Sequence, residues 1–138
     1  MTEDVLIAFI EENRHKGRGQ SFGWNGDELK MYLHWAARFN YLFVSIEDNK
    51  FTGVAIMYPL SKRFDSEADA LYDFNNKLET NEDDLCIMDF VSTTEKSKKD
   101  LVSKLKNRYP NWKAQNKWAL RFGEVKKISN RYINLLNN

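Results

Sequence analysis

The sequence predicts one α+β domain over residues 1–138, a central and mostly antiparallel sheet flanked by helices. Three observations lead there. Two N-terminal segments, around 3–13 and 27–39, repeat apolar residues at helical spacing. Two β-rich runs, 41–47 and 51–58, flank the turn Asp48-Asn49-Lys50. A third run, 85–91, is apolar on both faces, as a central strand is, and a basic helical segment follows it at once. At 138 residues, with 42% hydrophobic and 14% aromatic side chains, the chain has the material for one core. A domain of this size buries roughly two-thirds of its unfolded surface.

Each element has a local reason. Thr2 caps the first helix, with Glu3 and Asp4 in its first turn and Val5, Leu6, Phe9 and Ile10 along one stripe. Four of the six glycines then fall within residues 17–26, a loop that also carries Phe22 and Trp24 and is suited to docking against something. In the second helix Leu29, Tyr32, Leu33, Ala36 and Phe39 face inward, while Lys30, His34 and Arg38 form a solvated stripe. The hairpin ends at Pro59. Asp65 or Ser66 caps an acidic helix with Leu71, Phe74 and Leu78 inward. Strict alternation along 85–91 puts Leu85, Ile87, Asp89 and Val91 on one face and Cys86, Met88 and Phe90 on the other. The next helix, 95–107, buries Leu101, Val102 and Leu105 and ends at Pro110. Residues 118–128 read as one strand bent at Gly123, and 131–136 as a short helix or strand.

Composition excludes several classes. One cysteine, Cys86, permits no internal disulfide and no cysteine-based zinc site, and two histidines do not make a histidine-rich metal site. The acidic start Met1-Thr2-Glu3-Asp4 does not read as a signal peptide, and no apolar run approaches the ~18–20 residues of a membrane span. The expectation is a soluble protein of the cytoplasm or of a virion. The net charge of +1 conceals a polarity: residues 64–95 carry ten acidic side chains and one basic, whereas 96–138 carry twelve basic and two acidic. The acidic 64–95 and basic 96–131 regions are therefore candidates for contact with each other, with copies of the chain, or with a protein partner.

The chemistry-bearing residues cluster after the third strand. Asp89 is a carboxylate on an otherwise apolar strand, and either acts as or orients a general base, or accepts backbone hydrogen bonds in the turn. Ser92, Thr93, Thr94, Lys96, Ser97 and Lys98 surround a helix N-terminus, where hydroxyls, lysines and free amides suit a phosphate, or simply an ordinary cap. Cys86 reads as a buried small hydrophobe. The basic third also holds Tyr109, Trp112, Trp118, Phe122 and Tyr132, a mixture of cations and rings suited to nucleic acid or to a core beneath a charged surface.

The order helix, helix, hairpin, strand, helix, strand resembles the core of the acetyltransferase-like superfamily. Its C-terminal half is most similar to the toxin-activating lysine acyltransferases, through Cys86-Ile87-Met88-Asp89-Phe90-Val91, then Ser103-Lys104-Leu105-Lys106-Asn107-Arg108-Tyr109-Pro110, then Arg121-Phe122-Gly123-Glu124-Val125-Lys126-Lys127. The resemblance covers about residues 84–128 and, loosely, 27–60. Small phage virion-associated proteins have this general shape too. The resemblance implies an acyl-coenzyme A donor with its pyrophosphate at Ser92–Ser97, and an acceptor side near the 17–26 loop. It also implies a catalytic pair of His15 and Asp89. The chain departs from the superfamily at Ser92-Thr93-Thr94-Glu95-Lys96-Ser97, which has none of the glycines of the usual phosphate loop. That departure makes a catalytically degenerate assembly component of a phage the alternative, with nucleic-acid binding third.

Overall fold

The computed structural model describes residues 2–14, 26–59, 84–121 and 124–128. Helix α1 spans Glu3–Asn13 and α2 spans Gly26–Arg38. Strands β1 (Leu42–Glu47), β2 (Lys50–Pro59) and β3 (Asp84–Ser92) follow, then α3 (Glu95–Arg108), β4 (Asn116–Arg121) and β5 (Glu124–Ile128). The five strands form one sheet in chain order, antiparallel throughout except for the parallel pair β3–β4, which α3 connects. The fold is thus α+β, as the periodicities imply. The acidic helix, residues 17–25 of the glycine-rich loop, the 131–136 tail and His15 lie outside the described residues.

Local chemistry sets the boundaries. The hydroxyl of Thr2 accepts the Val5 amide at 3.4 Å and starts α1. At the end of α2, Asn40 adopts φ 60°, and the amides of Asn40 and Tyr41 return to the carbonyls of Ala37 and Ala36. This double closure is a Schellman motif with asparagine in the left-handed position. Asp48 and Asn49, at φ 50° and 61°, make the two-residue turn that matches strand twist in a hairpin. The 118–128 segment is not one bent strand. It divides into β4 and β5, which pair from Lys117–Ile128 to Arg121–Glu124.

The sheet is covered on both faces. Leu6 and Ile10 of α1, with Leu29, Tyr32, Leu33 and Ala36 of α2, pack on Val54, Ile56, Cys86, Met88, Val91 and Trp118. On the opposite face Leu101, Leu105, Tyr109 and Trp112 pack on Ala55, Met57 and Leu85. Gly53 lets α3 approach β2 closely, since a Cβ there would meet Leu101 Cδ1 at 2.8 Å. Tyr109 is fully buried, and its hydroxyl donates to the Met57 carbonyl at 2.8 Å. That carbonyl faces Tyr41, whose amide is already committed to Ala36, so the tyrosine supplies the donor the strand ladder lacks there.

The register of β3 departs from simple alternation. Ile56 pairs with Asp89 but the next residue, Met57, pairs with Ile87, so Met88 is the extra residue of a β-bulge. Phase is lost at that point. Leu85, Ile87 and Phe90 face α3, whereas Cys86, Met88 and Val91 face α1 and α2. Alternation alone had assigned Phe90 and Val91 to the opposite faces.

Candidate functional site

The bulge carries Asp89 to the helical side formed by α1. Leu6 and Ile10 anchor α1 to the sheet, and Arg14 lies one turn beyond Ile10 on the same face. Its Nε stands 3.5 Å from Asp89 Oδ1, with both side chains almost wholly buried, at 4% and 2% exposure. A charge in such surroundings persists only when paired. Arg14 was not among the expected site residues, although its i+4 spacing from Ile10 was a usable signal. His15 follows Arg14 in the sequence and lies outside the described residues.

The parallel ladder ends beside this pair. Strands β3 and β4 are zipped only from Asp84–Asn116 to Ile87–Ala119. Beyond these residues β3 continues to Ser92 and β4 to Arg121, and among the described residues these ends pair with β2 and with β5 alone. The ladder of the two parallel strands therefore ends at Ile87–Ala119, just ahead of the bulge at Met88 and next to Asp89.

The far end of β3 leads into the predicted phosphate loop, and there the local bonding is nearly complete. Ser92 pairs with Gly53 at the end of the ladder. The amide and hydroxyl of Thr93 both donate to the Thr52 carbonyl, at 2.9 and 3.1 Å. Thr94 is the N-cap of α3. Its hydroxyl accepts the Ser97 amide at 3.0 Å, and its own amide donates to Ser97 Oγ at 3.2 Å. This reciprocal capping box consumes two amides that an anion would otherwise find. The Thr94 hydroxyl also donates to Glu47 Oε2 at 2.8 Å. Hydrogen bonds from Thr94 and then Thr52 hold the Glu47 carboxyl below its ordinary range. Among the described residues, the amides of Glu95 and Lys96 are the two in 93–97 with no acceptor. Lys96 is exposed, and Lys98 pairs with Glu95 at 2.9 Å.

The structure thus brings Asp89 and the end of α1 together and sets Ser92–Lys98 at the other end of the same strand. The described residues contain no cluster of three potential metal ligands and no helix long and apolar enough to cross a membrane. Cys86 is fully buried, as expected of a small hydrophobe. Tyr109, Trp112 and Trp118 are also buried, which removes three of the five rings that had suggested base stacking. Phe122 and Tyr132 lie outside the described residues. His34 is exposed, as its stripe implied, and contacts Glu3 of α1 at 2.7 Å. No protein-family model matches the chain, and no curated protein or solved structure is significantly similar to it.

Proposed function

We propose that the chain is an acetyltransferase-like protein that takes the acyl thioester of acyl-coenzyme A between β3 and β4, past the end of their ladder. The observation that carries this reading is the short ladder of the parallel pair, which ends beside Asp89. An extended amide-containing arm fits between two such strand ends because it can hydrogen-bond as a strand does. In the reaction, an acceptor amine attacks the thioester carbonyl, an amide bond forms, the C–S bond breaks, and the thiol leaves with a proton. His15 is the group assigned to take the amine's proton, and Asp89 the group assigned to orient it. Lys96, Lys98 and the amides of Glu95 and Lys96 are assigned to the pyrophosphate, with Ser92, Thr93, Thr94 and Ser97 shaping the turn.

A second reading keeps the fold without the chemistry, as an assembly component of a phage particle that contacts protein partners. The self-contained cap of α3 favours it, because Thr94 and Ser97 leave few donors for a pyrophosphate. A thermal-shift titration with acetyl-coenzyme A and longer acyl-coenzyme A, beside adenosine diphosphate and desulfo controls, separates the two. Saturable stabilisation that Lys96→Ala and Lys98→Ala weaken is the expected result for the transferase. No shift at millimolar ligand overturns the coenzyme site and leaves the assembly reading.

A further inference from the structure

Among the described residues, strand β1 forms one edge of the sheet. The Tyr41 carbonyl accepts the Met57 amide and the Ser45 carbonyl accepts the Thr52 hydroxyl, so residues 41, 43 and 45 direct their backbone groups toward β2. Leu42, Val44 and Ile46 then direct theirs outward. Lys104 of α3 confirms that direction, because its Nζ reaches the Val44 carbonyl at 2.6 Å. Helix α3 runs antiparallel to β1 along this edge. Its Lys96, Asp100 and Lys104 line a groove of about 350 Å³ with Val44, Ser45, Ile46 and Glu47. The groove is polar on its α3 side. On the other side of the sheet Ile46 is 49% exposed, one of three large exposed hydrophobics among the described residues.

We infer that this edge pairs with the β1 edge of a second copy of the chain, around a two-fold axis at Ser45, to give one continuous sheet through both copies. Self-complementarity selects both the occupant and the register. Antiparallel pairing of Val44 with Ile46 of the copy, and of Ile46 with Val44, joins residues whose backbone groups point outward. Each of these two pairs exchanges two N–H···O bonds. On one face the same register sets each exposed Ile46 against a half-buried Val44. On the other face Lys104 stands level with Val44, and Asp100 lies one helical turn toward Ile46. The two-fold therefore brings each Lys104 to the other copy's Asp100. Lys104 and Asp100 already pair at 3.0 Å within the chain, with side chains 44% and 40% exposed, so both reach the groove surface. The lone chain uses Lys104 to shield its open strand edge. In the pair, the same lysine shifts to the facing carboxylate and leaves the Val44 carbonyl to the incoming amide. Asp89 lies two strands away, and Lys96 at one end of the groove is the residue shared with the candidate phosphate site.

Sedimentation velocity of the full chain across a wide concentration range tests the inference. A monomer–dimer equilibrium is expected, weakened at least tenfold by Ile46→Lys, which alters an exposed side chain and leaves the core untouched. Asp100→Lys alone and Lys104→Asp alone should each weaken it at least tenfold through like charges across the axis. The double exchange, Asp100→Lys with Lys104→Asp, should recover most of the association. A monomer at every concentration overturns the proposal. So does a dimer indifferent to Ile46→Lys, or a double exchange no better than the singles, since either outcome locates the contact elsewhere.

Discussion

Asp89 and Lys117 are both ionisable side chains held inside this domain, and they meet burial in different ways. Asp89 has Arg14 at 3.5 Å, and each is nearly inaccessible. Removing one member of such a pair strands the other, which typically costs about 3 kcal/mol. Asp89→Asn should therefore lower stability measurably in urea titrations as well as affect any reaction, contrary to what an isolated catalytic carboxylate would do. Arg14→Met combined with Asp89→Leu should recover much of that loss, and strict additivity of the single changes would refute the coupling. Lys117 instead rests over the Trp112 ring at 4.7 Å and is 1% exposed, with no carboxylate partner among the described residues. Burial pushes its amine below the ordinary 10.5. A depressed lysine binds fewer protons folded than unfolded, so stability should rise with pH between the folded value and 10.5 and be lower below that window. Lys117→Met should stabilise the fold at neutral pH, by about 1–3 kcal/mol, and flatten that rise. Denaturant titrations at neutral and alkaline pH read both effects, and an unchanged slope in the variant would remove Lys117 as its source.

At the scale of elements, the start of α3 decides how much of the candidate site is open to a ligand. Thr94 both caps the helix and holds Glu47. Thr94→Ala should cost about 1–2 kcal/mol by loss of the cap. It should also shrink the acid-side loss of stability. Glu47, held below 4.5 in the fold, contributes stability that is present above that value and fades as pH falls through the lowered one. Midpoint measurements from neutral to acid pH check both effects, and an unaltered acid limb would detach Glu47 from the cap. These elements were largely legible in the sequence, because each carries its own signal. Thr2 and Thr94 precede apolar periodicity, Asp48-Asn49 separates two β-rich runs, and Leu85–Val91 is apolar on both faces. The bulge at Met88 was not legible. An extra strand residue arises from pairing with β2 and leaves no mark in the composition of β3. The face of Asp89 and its partnership with Arg14 were lost with it. The division of β4 from β5 was missed for a related reason, since Gly123 alone does not distinguish a bend from a reversal of direction.

For the molecule as a whole, protection of the backbone should follow the order of strands in the sheet. β2, and β3 from Asp84 to Ile87, are flanked by strands and covered by α1 and α2 on one face and α3 on the other. Their amides open only with the whole domain and should exchange slowest with solvent deuterium. Along β1 the prediction is sharper, because its amides alternate between β2 and the open edge. Phe43 and Ser45 should be protected, while Leu42, Val44 and Ile46 should exchange quickly in dilute solution. Residue-resolved exchange by NMR reads this pattern directly, and uniform protection along β1 would mean that another segment covers the edge. Raising the protein concentration then adds a second axis to the same experiment. Pairing of the Val44–Ile46 register should slow those two amides together while Leu42, which has no strand residue opposite it, stays fast. Slowing of all three would indicate a different register, and slowing of none would leave β1 a guarded edge with Lys104 on its carbonyl.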